Sequence, residues 1–340
     1  GIQPDVILCR SDKEISEGIK DKISLFCDVD RAAVIPLVTS ETIYEVPLLL
    51  EEAGLGEFIV KQIGLETKGN DLSEWRNMVA RLKALKEPVT IGLVGKYVEL
   101  QDAYYSVREA LCHAALAHNH ELKIEWLDSE ELQEAANDKL RQVQGIIVPG
   151  GFGYRGIEGM IKAAKFAREK EIPYFGLCLG MQIMVIEFGR HVFHSQDVNS
   201  TEFDADTAYP VIDLLPEQRG MSQKGGTMRL GTYPCKLVPG TKVALAYGSE
   251  VTYERHRHRF EFNNAFRQPL EEAGLIPSGL SPNGNLVEIA ELKDHPWMVA
   301  SQFHPEFKSR LDSPHPLFVG FIKAAKETLV EGVQTSLFSS

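Results

Sequence analysis

The chain has 340 residues, of which 44% are hydrophobic and 25% charged, an ordinary balance for a folded protein with two domains. Its 36 basic and 48 acidic residues give a net charge of −12, which argues against a general nucleic-acid surface but is compatible with a local nucleotide pocket. Five scattered cysteines show no zinc or disulfide spacing, which favours a reducing cytoplasm, and no segment predicts a membrane span or a signal peptide.

The N-terminal region alternates between strand and helix signals. Four short patterns predict strand, helix, strand and helix in turn, at 6–9, 13–26, 33–35 and 41–63. These are too few elements for an independent doubly wound domain, and the chain starts almost directly in a strand without an initiator methionine. We therefore expect residues 1–66 to be the C-terminal tail of a longer α/β domain. Residues 67–88 read as a linker that contains a helix from Trp75 to Leu85.

A new α/β pattern begins at Val89. The predicted strands are Val89–Val94, Leu122–Leu127, Gly145–Val148 and Ile172–Leu177. The helical patterns between them lie at 103–118, 129–141 and 157–170. Regular alternation of this kind predicts a parallel sheet with helices on both faces.

The second half of this domain has a different pattern. Residues 195–226 are polar and glycine-rich and predict a long loop. Beyond them the predicted strands are Thr227–Leu230, Lys242–Tyr247, Thr252–Asn263, Leu286–Leu292 and Trp297–Phe303. A last helix follows His315 and Pro316. We expect one domain over 89–335.

Cys178 lies between two glycines in the segment Gly-Leu-Cys-Leu-Gly-Met-Gln, at the junction of a predicted strand and a predicted helix. A sharp strand-to-helix turn lifts the middle side chain at the edge of a sheet, and flanking glycines allow that turn. The N-terminus of the following helix favours a thiolate. A small buried core cysteine is the common alternative, so this motif alone leaves the choice open.

Two other segments end predicted strands of the same sheet. Pro-Gly-Gly-Phe-Gly follows Val148, and the backbone N–H groups of Gly151 and Leu179 would form an oxyanion hole, although a plain tight turn explains the glycines equally well. His304-Pro-Glu306 follows Phe303. Its histidine can take the thiol proton, and its carboxylate can orient the imidazole. Because the carboxyl ends of parallel strands meet at one edge, all three segments should lie together.

Taken together, these segments resemble the class I glutamine amidotransferases. Further segments narrow the resemblance to the CTP synthase family and extend it over essentially the whole chain; they lie at 1–11, 92–97, 199–203, 225–231 and 254–261. The resemblance implies an α/β fold with a parallel or mixed sheet flanked by helices for residues 89–335. It also implies that residues 1–66 are the tail of a synthetase domain.

The resemblance implies glutamine-dependent synthesis of CTP from UTP and ATP, with this chain carrying the glutaminase half-reaction. Cys178 would form a glutamyl thioester and release ammonia, with His304 and Glu306 completing the triad. The implied glutamine-binding residues are Gly151, Leu179, Gly180, Met181, Gln182, Glu202 and Arg259. A guanidinium suits the substrate α-carboxylate. Without the resemblance, the basic run 255–259 would more simply be a solvated strand face.

Nucleotide contacts are implied at four positions. Phe152 and Arg155 lie where GTP would activate glutamine hydrolysis, Lys22 where the pyrimidine nucleotide phosphates would bind, and Ser40 where ATP would bind. ATP and Mg²⁺ would serve the whole enzyme, with no metal in the glutaminase domain. The chain has no Gly-x-x-x-x-Gly-Lys-Ser/Thr loop, so we expect it to hydrolyse glutamine but not to make CTP alone. The full-length enzyme would be a cytoplasmic homotetramer with no nucleic-acid or membrane partner.

Two alternatives remain. Another class I amidotransferase, serving GMP or carbamoyl phosphate synthesis, would share the triad. It would not be expected to carry the 225–231 loop, the 255–259 run or the N-terminal match. A regulatory or assembly module whose glutaminase is silent would also carry all these motifs. Release of ammonia from glutamine, measured with and without GTP, separates these alternatives.

Overall fold

The computed structural model describes residues 2–67, 69, 71–84, 86–133, 137–214 and 228–328. The chain divides into two compact units, Gly1–Ala84 and Leu85–Ser340. The boundary falls inside the segment 67–88 that we interpreted as a linker. No helix in the described part of the chain has the length and apolar character needed to cross a bilayer.

Over its described residues, the first unit is a two-stranded parallel sheet with four α-helices. Its strands are β1 (Ile7–Ser11) and β2 (Val34–Val38), and its helices are α1 (Glu17–Cys27), α2 (Val46–Glu52), α3 (Leu55–Gln62) and α4 (Ser73–Lys83). The prediction of a single helix over 41–63 is wrong. The chain forms α2 and α3 instead, because Gly54 between them takes a left-handed backbone conformation with φ of 77°.

The second unit contains the other described strands and helices. Its strands are β3 (Pro88–Gly95), β4 (Glu121–Asp128), β5 (Gly145–Val148), β6 (Tyr174–Leu177), β7 (Val198–Ser200), β8 (Tyr209–Leu214), β9 (Arg229–Leu237), β10 (Val251–His258), β11 (Phe260–Phe262), β12 (Leu275–Leu280), β13 (Val287–Leu292) and β14 (Met298–Ser301). Its helices are α5 (Tyr105–Ala117), α6 (Asn137–Leu140), α7 (Ile157–Lys170), α8 (Leu179–Phe193), α9 (Lys242–Tyr247), α10 (Arg267–Glu272) and α11 (Pro316–Lys326).

Over the described residues, nine of these strands form one mixed sheet in the order β10-β9-β12-β13-β14-β6-β5-β3-β4. The strands from β14 to β4 are parallel to one another, and those from β14 back to β10 are antiparallel. A second sheet has the order β11-β8-β7 and contacts α8. The parallel half places the carboxyl ends of β5, β6 and β14 side by side, and these ends carry the three predicted chemical segments.

The core lies on both faces of the large sheet. On β5, Ile146 and Val148 pack into a cluster with apolar residues of α7 and α8, whereas Ile147 packs into a second cluster with residues of α5 and α11. Successive side chains of a strand point to opposite faces, so an apolar run on a parallel strand serves both clusters. Helices on each face therefore hold the central strands, and with them the site, in place.

Three predictions from the second half of the domain are wrong. Residues 242–247 form helix α9 rather than a strand, because Thr241 Oγ1 caps the Ala244 N–H at 3.1 Å and Gly248 ends the helix at φ 64°. The predicted loop 195–226 contains β7 and β8, while residues 215–227 lie outside the described residues. The predicted strand 252–263 is divided at Arg259 into β10 and β11.

Three other elements differ in extent or were missed. The helix predicted over 129–141 is a short turn at Glu131–Gln133 followed by α6, with 134–136 outside the described residues. Strand β12 and helix α10 had no predicted counterpart. β12 pairs with both β13 and β9, so the antiparallel half is continuous.

Candidate active site

Cys178 occupies a strained turn between β6 and α8, with φ of 50° and ψ of −96°. A non-glycine residue at positive φ is uncommon and must be held there by its surroundings. A Cβ atom on Gly176 would lie 2.5 Å from the backbone of Gly180, and one on Gly180 would lie 2.1 Å from the Val148 carbonyl oxygen. Both flanking positions therefore require glycine, and the turn presses directly against the end of β5.

The catalytic pair proposed for Cys178 lies just beyond β14. His304 Nδ1 and Glu306 Oε1 are 2.7 Å apart, and both side chains are largely buried. The His304 N–H donates to the Arg255 carbonyl at 2.8 Å, which ties this segment to β10. Because β14 runs parallel to β6, with Ser301 opposite Leu177, the residues after each strand lie next to one another.

The His304 ring is held in its charged form. Burial alone would lower its pKa, but hydrogen bonds to Cys178 and Glu306 and the charges of those groups raise the pKa to about 10. The imidazole is therefore cationic at neutral pH. A cation beside the sulfur favours the anionic, nucleophilic form of a cysteine and can later give its proton to a leaving amine.

The glycine loop after β5 contacts the same groups. A Cβ on Gly150 would lie 2.8 Å from His304 Cε1 and 3.6 Å from the Cβ of Cys178. A Cβ on Gly151 would lie 3.2 Å from Leu179 Cδ2. The two residues predicted to form the oxyanion hole are thus neighbours beside Cys178, as that role requires. Their role remains a prediction.

A cavity opens at Cys178 and contains most of the predicted glutamine-binding side chains. It is lined by Gly151, Phe152, Cys178, Gln182, Glu202, Met228, His258, Arg259 and Phe260. Glu202 Oε1 accepts a hydrogen bond from the Gly153 N–H at 3.1 Å. A carboxylate and a guanidinium thus face one space, a pairing suited to a zwitterionic amino acid.

Three residues of the predicted glutamine-binding set do not line this cavity. Leu179, Gly180 and Met181 form the first turn of α8 and are buried. Any contact that they make with a substrate would be through their backbone. The structure does not bring their side chains to the cavity.

The predicted GTP-activation residues lie at the loop on one side of the cavity. Phe152 is half exposed. Arg155 donates to the Lys96 carbonyl at 2.8 Å, and its guanidinium stands 5.1 Å from the centroid of the Tyr97 ring. It also forms an ion pair with Glu130 at 3.4 Å. The cation that stands over the Phe152 ring is Arg257, whose guanidinium carbon lies 5.7 Å from the ring centroid.

Lys96 is a site residue that the sequence interpretation missed. Its Nζ donates to the Phe152 carbonyl at 3.1 Å and to the Gly153 carbonyl, although its side chain is almost fully buried. Burial lowers its pKa to about 8, partly offset by the charge of Glu202. The signal available in the sequence was its position immediately after β3, another carboxyl end of the parallel sheet.

The remaining predicted contacts, Lys22 and Ser40, belong to the first unit. Lys22 is exposed on α1. Ser40 Oγ donates to the Thr42 carbonyl at 2.9 Å. These surroundings do not by themselves indicate a nucleotide, and both assignments remain predictions.

A buried polar network continues from the cavity wall. His256 Nδ1 and His258 Nε2 are 2.9 Å apart, and His258 Nδ1 faces the Phe260 carbonyl at 3.3 Å. Glu288 accepts from Arg229 at 2.6 Å. Burial lowers the pKa of His256 to about 2 and of His258 to about 3, with Arg229 contributing to both. The two rings are therefore neutral and contribute no positive charge to the cavity.

The alternation of β10 explains its basic run. Its side chains alternate between exposed and buried, with Arg255 and Arg257 exposed and His256 and His258 buried. The solvated-face interpretation is thus right for the first two arginines. Arg259, beyond the end of β10, lines the cavity instead.

Comparison with known proteins agrees with this geometry. Residues 99–324 match the model of the family described as glutamine amidotransferase class-I. The chain belongs to the class I glutamine amidotransferase family. Residues 1–65 of this amidotransferase match the model described as CTP synthase N-terminus.

Curated relatives of this amidotransferase are named CTP synthase. It is 60% identical over 338 residues to a CTP synthase of Dehalococcoides mccartyi, an alignment that covers 99% of this chain and 62% of the relative. It is 58% identical over 333 residues to a CTP synthase of Chloroflexus aurantiacus, covering 98% of this chain and 61% of the relative. The chain thus spans about 62% of the length of the curated relatives it matches.

A solved structure is also similar to this amidotransferase. The glutaminase domain of Trypanosoma brucei CTPS with bound acivicin shares 38% identity at a TM-score of 0.66, covering 71% of this chain and 94% of that one. The predicted fold class and the predicted resemblance to CTP synthases are confirmed. The roles of single residues remain predictions.

Proposed function

We propose that this chain is the glutaminase part of a CTP synthase. It hydrolyses glutamine at Cys178 to glutamate and ammonia, and in the longer protein the ammonia aminates UTP in an ATP-dependent reaction. The observation that carries the proposal is the strained Cys178 beside a buried His304–Glu306 pair, opening on a cavity with a carboxylate and a guanidinium. The names of the relatives support the product.

Binding would use the charges of the cavity. The Arg259 guanidinium would hold the α-carboxylate of glutamine, and Glu202 together with Gln182 would contact its amino acid end. Gln182 is buried and donates to the Phe260 carbonyl at 3.4 Å, so its amide is already oriented. The side-chain amide of the substrate would then reach Cys178.

The chemistry proceeds in two halves. The Cys178 sulfur attacks the amide carbon, and the N–H groups of Gly151 and Leu179 stabilise the oxyanion. The His304 imidazolium protonates the nitrogen, the C–N bond breaks, and ammonia leaves a glutamyl thioester. Neutral His304 then takes a proton from a water molecule whose oxygen attacks the thioester carbon. The C–S bond breaks, and glutamate leaves the Cys178 thiolate beside the His304 imidazolium. Glu306 holds the ring throughout.

Nucleotides would contact four residues of this chain. Phe152 and Arg155 would contact the activator GTP, Lys22 the pyrimidine nucleotide and Ser40 ATP. Among the described residues no three His, Cys, Asp or Glu side chains are arranged to hold a metal ion. Mg²⁺ would serve with ATP in the whole enzyme. We further propose the domain division 1–66, 67–88 and 89–335, a homotetramer for the full-length protein and a cytoplasmic location.

The test is release of ammonia from glutamine by the 340-residue chain, with and without GTP. We expect hydrolysis that is abolished by Cys178→Ala and retained by Cys112→Ala, a control cysteine on α5 whose pKa burial raises to about 11. No CTP should form from UTP, ATP and glutamine. Hydrolysis that survives Cys178→Ala would refute the nucleophile, CTP formation would refute the division of labour, and no hydrolysis would favour the silent-module alternative.

A further inference from the structure

We propose that Gln302 is a catalytic residue whose side-chain amide donates a hydrogen bond to the sulfur of Cys178 and stabilises it as the thiolate. The inference rests on the proposed function only for its effect on turnover. Gln302 Nε2 lies 3.7 Å from Cys178 Sγ, within the range of N–H···S hydrogen bonds. Its side chain is almost fully buried.

The sheet places Gln302 beside the nucleophile. Ser301 on β14 stands opposite Leu177 on the parallel strand β6, so the next residues, Gln302 and Cys178, are also neighbours. The Cys178 N–H donates to the Ser301 carbonyl at 2.7 Å, and the Gln302 N–H donates to the Glu288 carbonyl at 2.8 Å. Backbone bonds on both sides therefore hold residue 302 next to the elbow. His304 follows two positions later, where alternation returns the chain to the same side.

Two groups around the Cys178 sulfur favour different protonation states of it. The Arg257 carbonyl, 3.9 Å from Sγ, can accept a hydrogen bond from a thiol but repels a thiolate. The amide Nε2 can only donate, so it interacts most strongly with the anion. Hydrogen bonds to charged groups are about twice as strong as neutral ones. The Gln302 amide therefore offsets the carbonyl and shifts the sulfur toward its reactive form.

Over the described residues, the one hydrogen bond of the Gln302 side chain is that from Nε2 to the Cys178 sulfur. Within the described residues, its Oε1 is buried and accepts no hydrogen bond. An unpartnered buried acceptor is unfavourable, so such a group in a folded protein calls for a reason other than stability. Contact of the other end of the amide with the reacting sulfur supplies that reason.

The test is the rate at which iodoacetamide modifies Cys178 in the 340-residue chain as a function of pH, read by peptide mass spectrometry. Exposed Cys27 serves as the internal reference. In Gln302→Met, which keeps the length but removes the donor, we expect a rate about tenfold lower at pH 7 that recovers at high pH. In Gln302→Glu, an oxygen replaces the nitrogen and the loss should be larger. Ser301→Ala, on the same strand with its hydroxyl bonded to the Phe303 carbonyl, should match the wild type.

An unchanged rate and pH midpoint in Gln302→Met would overturn the proposal. Thermal unfolding checks that the variants are folded; should Gln302→Met unfold, Gln302→Glu decides, since it preserves the shape of the side chain. With glutamine, we expect kcat to fall and KM to stay close to the wild-type value, because Gln302 does not line the cavity. If the wild type does not hydrolyse glutamine, the proposed function fails while the alkylation result still tests Gln302.

Discussion

His304 and His258 are both buried next to the cavity of Cys178, yet they hold opposite charge states at neutral pH. The pKa of His304 is raised to about 10, whereas that of His258 is lowered to about 3. Burial acts in the same direction on both rings, since it disfavours the cation. The difference comes from their partners.

His304 faces the Glu306 carboxylate and the Cys178 sulfur, and two potential anions outweigh the loss of water. His258 faces a backbone carbonyl and the neutral ring of His256, with the Arg229 cation nearby. The Glu261 carboxyl lies 3.4 Å from its Nδ1, but burial raises the pKa of that carboxyl well above its ordinary value and so disfavours the anion. One histidine can therefore move a proton, while the other forms a neutral wall of the cavity. Within one site, the charge of a buried histidine follows from its hydrogen-bond partners rather than from its depth.

The largest effect should come from removing the partner that distinguishes His304. In Glu306→Gln, the ring loses its carboxylate, so we expect the pKa of His304 to fall and kcat for glutamine hydrolysis to drop by about 10²–10⁴-fold. Steady-state ammonia release over pH 6–9 measures both. The same substitution at exposed Glu272 on α10 serves as the control. Near wild-type activity in Glu306→Gln would show that the sulfur alone keeps His304 charged.

The sequence was sufficient to predict that the catalytic residues around His304 lie together. It was not sufficient to predict the neutral histidine pair that contains His258. Cys178, Gly151 and His304 each end a strand of the parallel half, and strands formed by βα alternation bring their ends together. Their proximity could thus be predicted without knowing the full topology. Lys96 and Gln302 satisfy the same rule, yet their types gave no chemical signal.

The antiparallel half could not be derived in this way. β9 pairs with β12, Leu237 opposite Gly279, although β10 and β11 lie between them in the sequence, and a strand pattern does not state its partner. The alternation within 251–258 was visible, but which face is buried depends on that pairing. The neutral histidine pair and its link to Arg229 and Glu288 therefore emerge only from the structure.

The neutral histidines should make the free energy of unfolding depend on pH. We expect an effect of intermediate size among these predictions. Because the folded pKa values of His256 and His258 lie below the ordinary value, the unfolded chain binds their protons first as the pH falls. Their contribution is present above about pH 6.5 and is lost toward pH 3, by at most about 1.4 kcal/mol per pH unit for each ring.

We therefore expect His258→Asn to reduce the slope of the free energy of unfolding between pH 4 and 6.5, measured by urea denaturation. The slope separates this effect from any constant loss of packing. The same substitution at His191, an exposed residue of α8, provides the matched control and should keep the wild-type slope. An unchanged slope in His258→Asn would show that its ring binds a proton at the same pH in the folded and the unfolded chain, which would contradict the lowered pKa on which the contrast with His304 depends.

Lys96 extends the comparison of the two histidines to a buried lysine. We expect its substitution to have the smallest effect of the three. Burial lowers its pKa to about 8 while the charge of Glu202 raises it, so neither influence prevails as completely as in the two histidines. Lys96→Met removes the donor to the Phe152 and Gly153 carbonyls, and we expect kcat/KM for glutamine to fall by about tenfold through a looser glycine loop. The wild type should lose activity as the pH rises through about 8, because the neutral amine binds these carbonyls less strongly. That decline should be absent from the pH profile of kcat/KM for Lys96→Met. If wild type and variant decline in parallel, the titration that causes the decline belongs to another group.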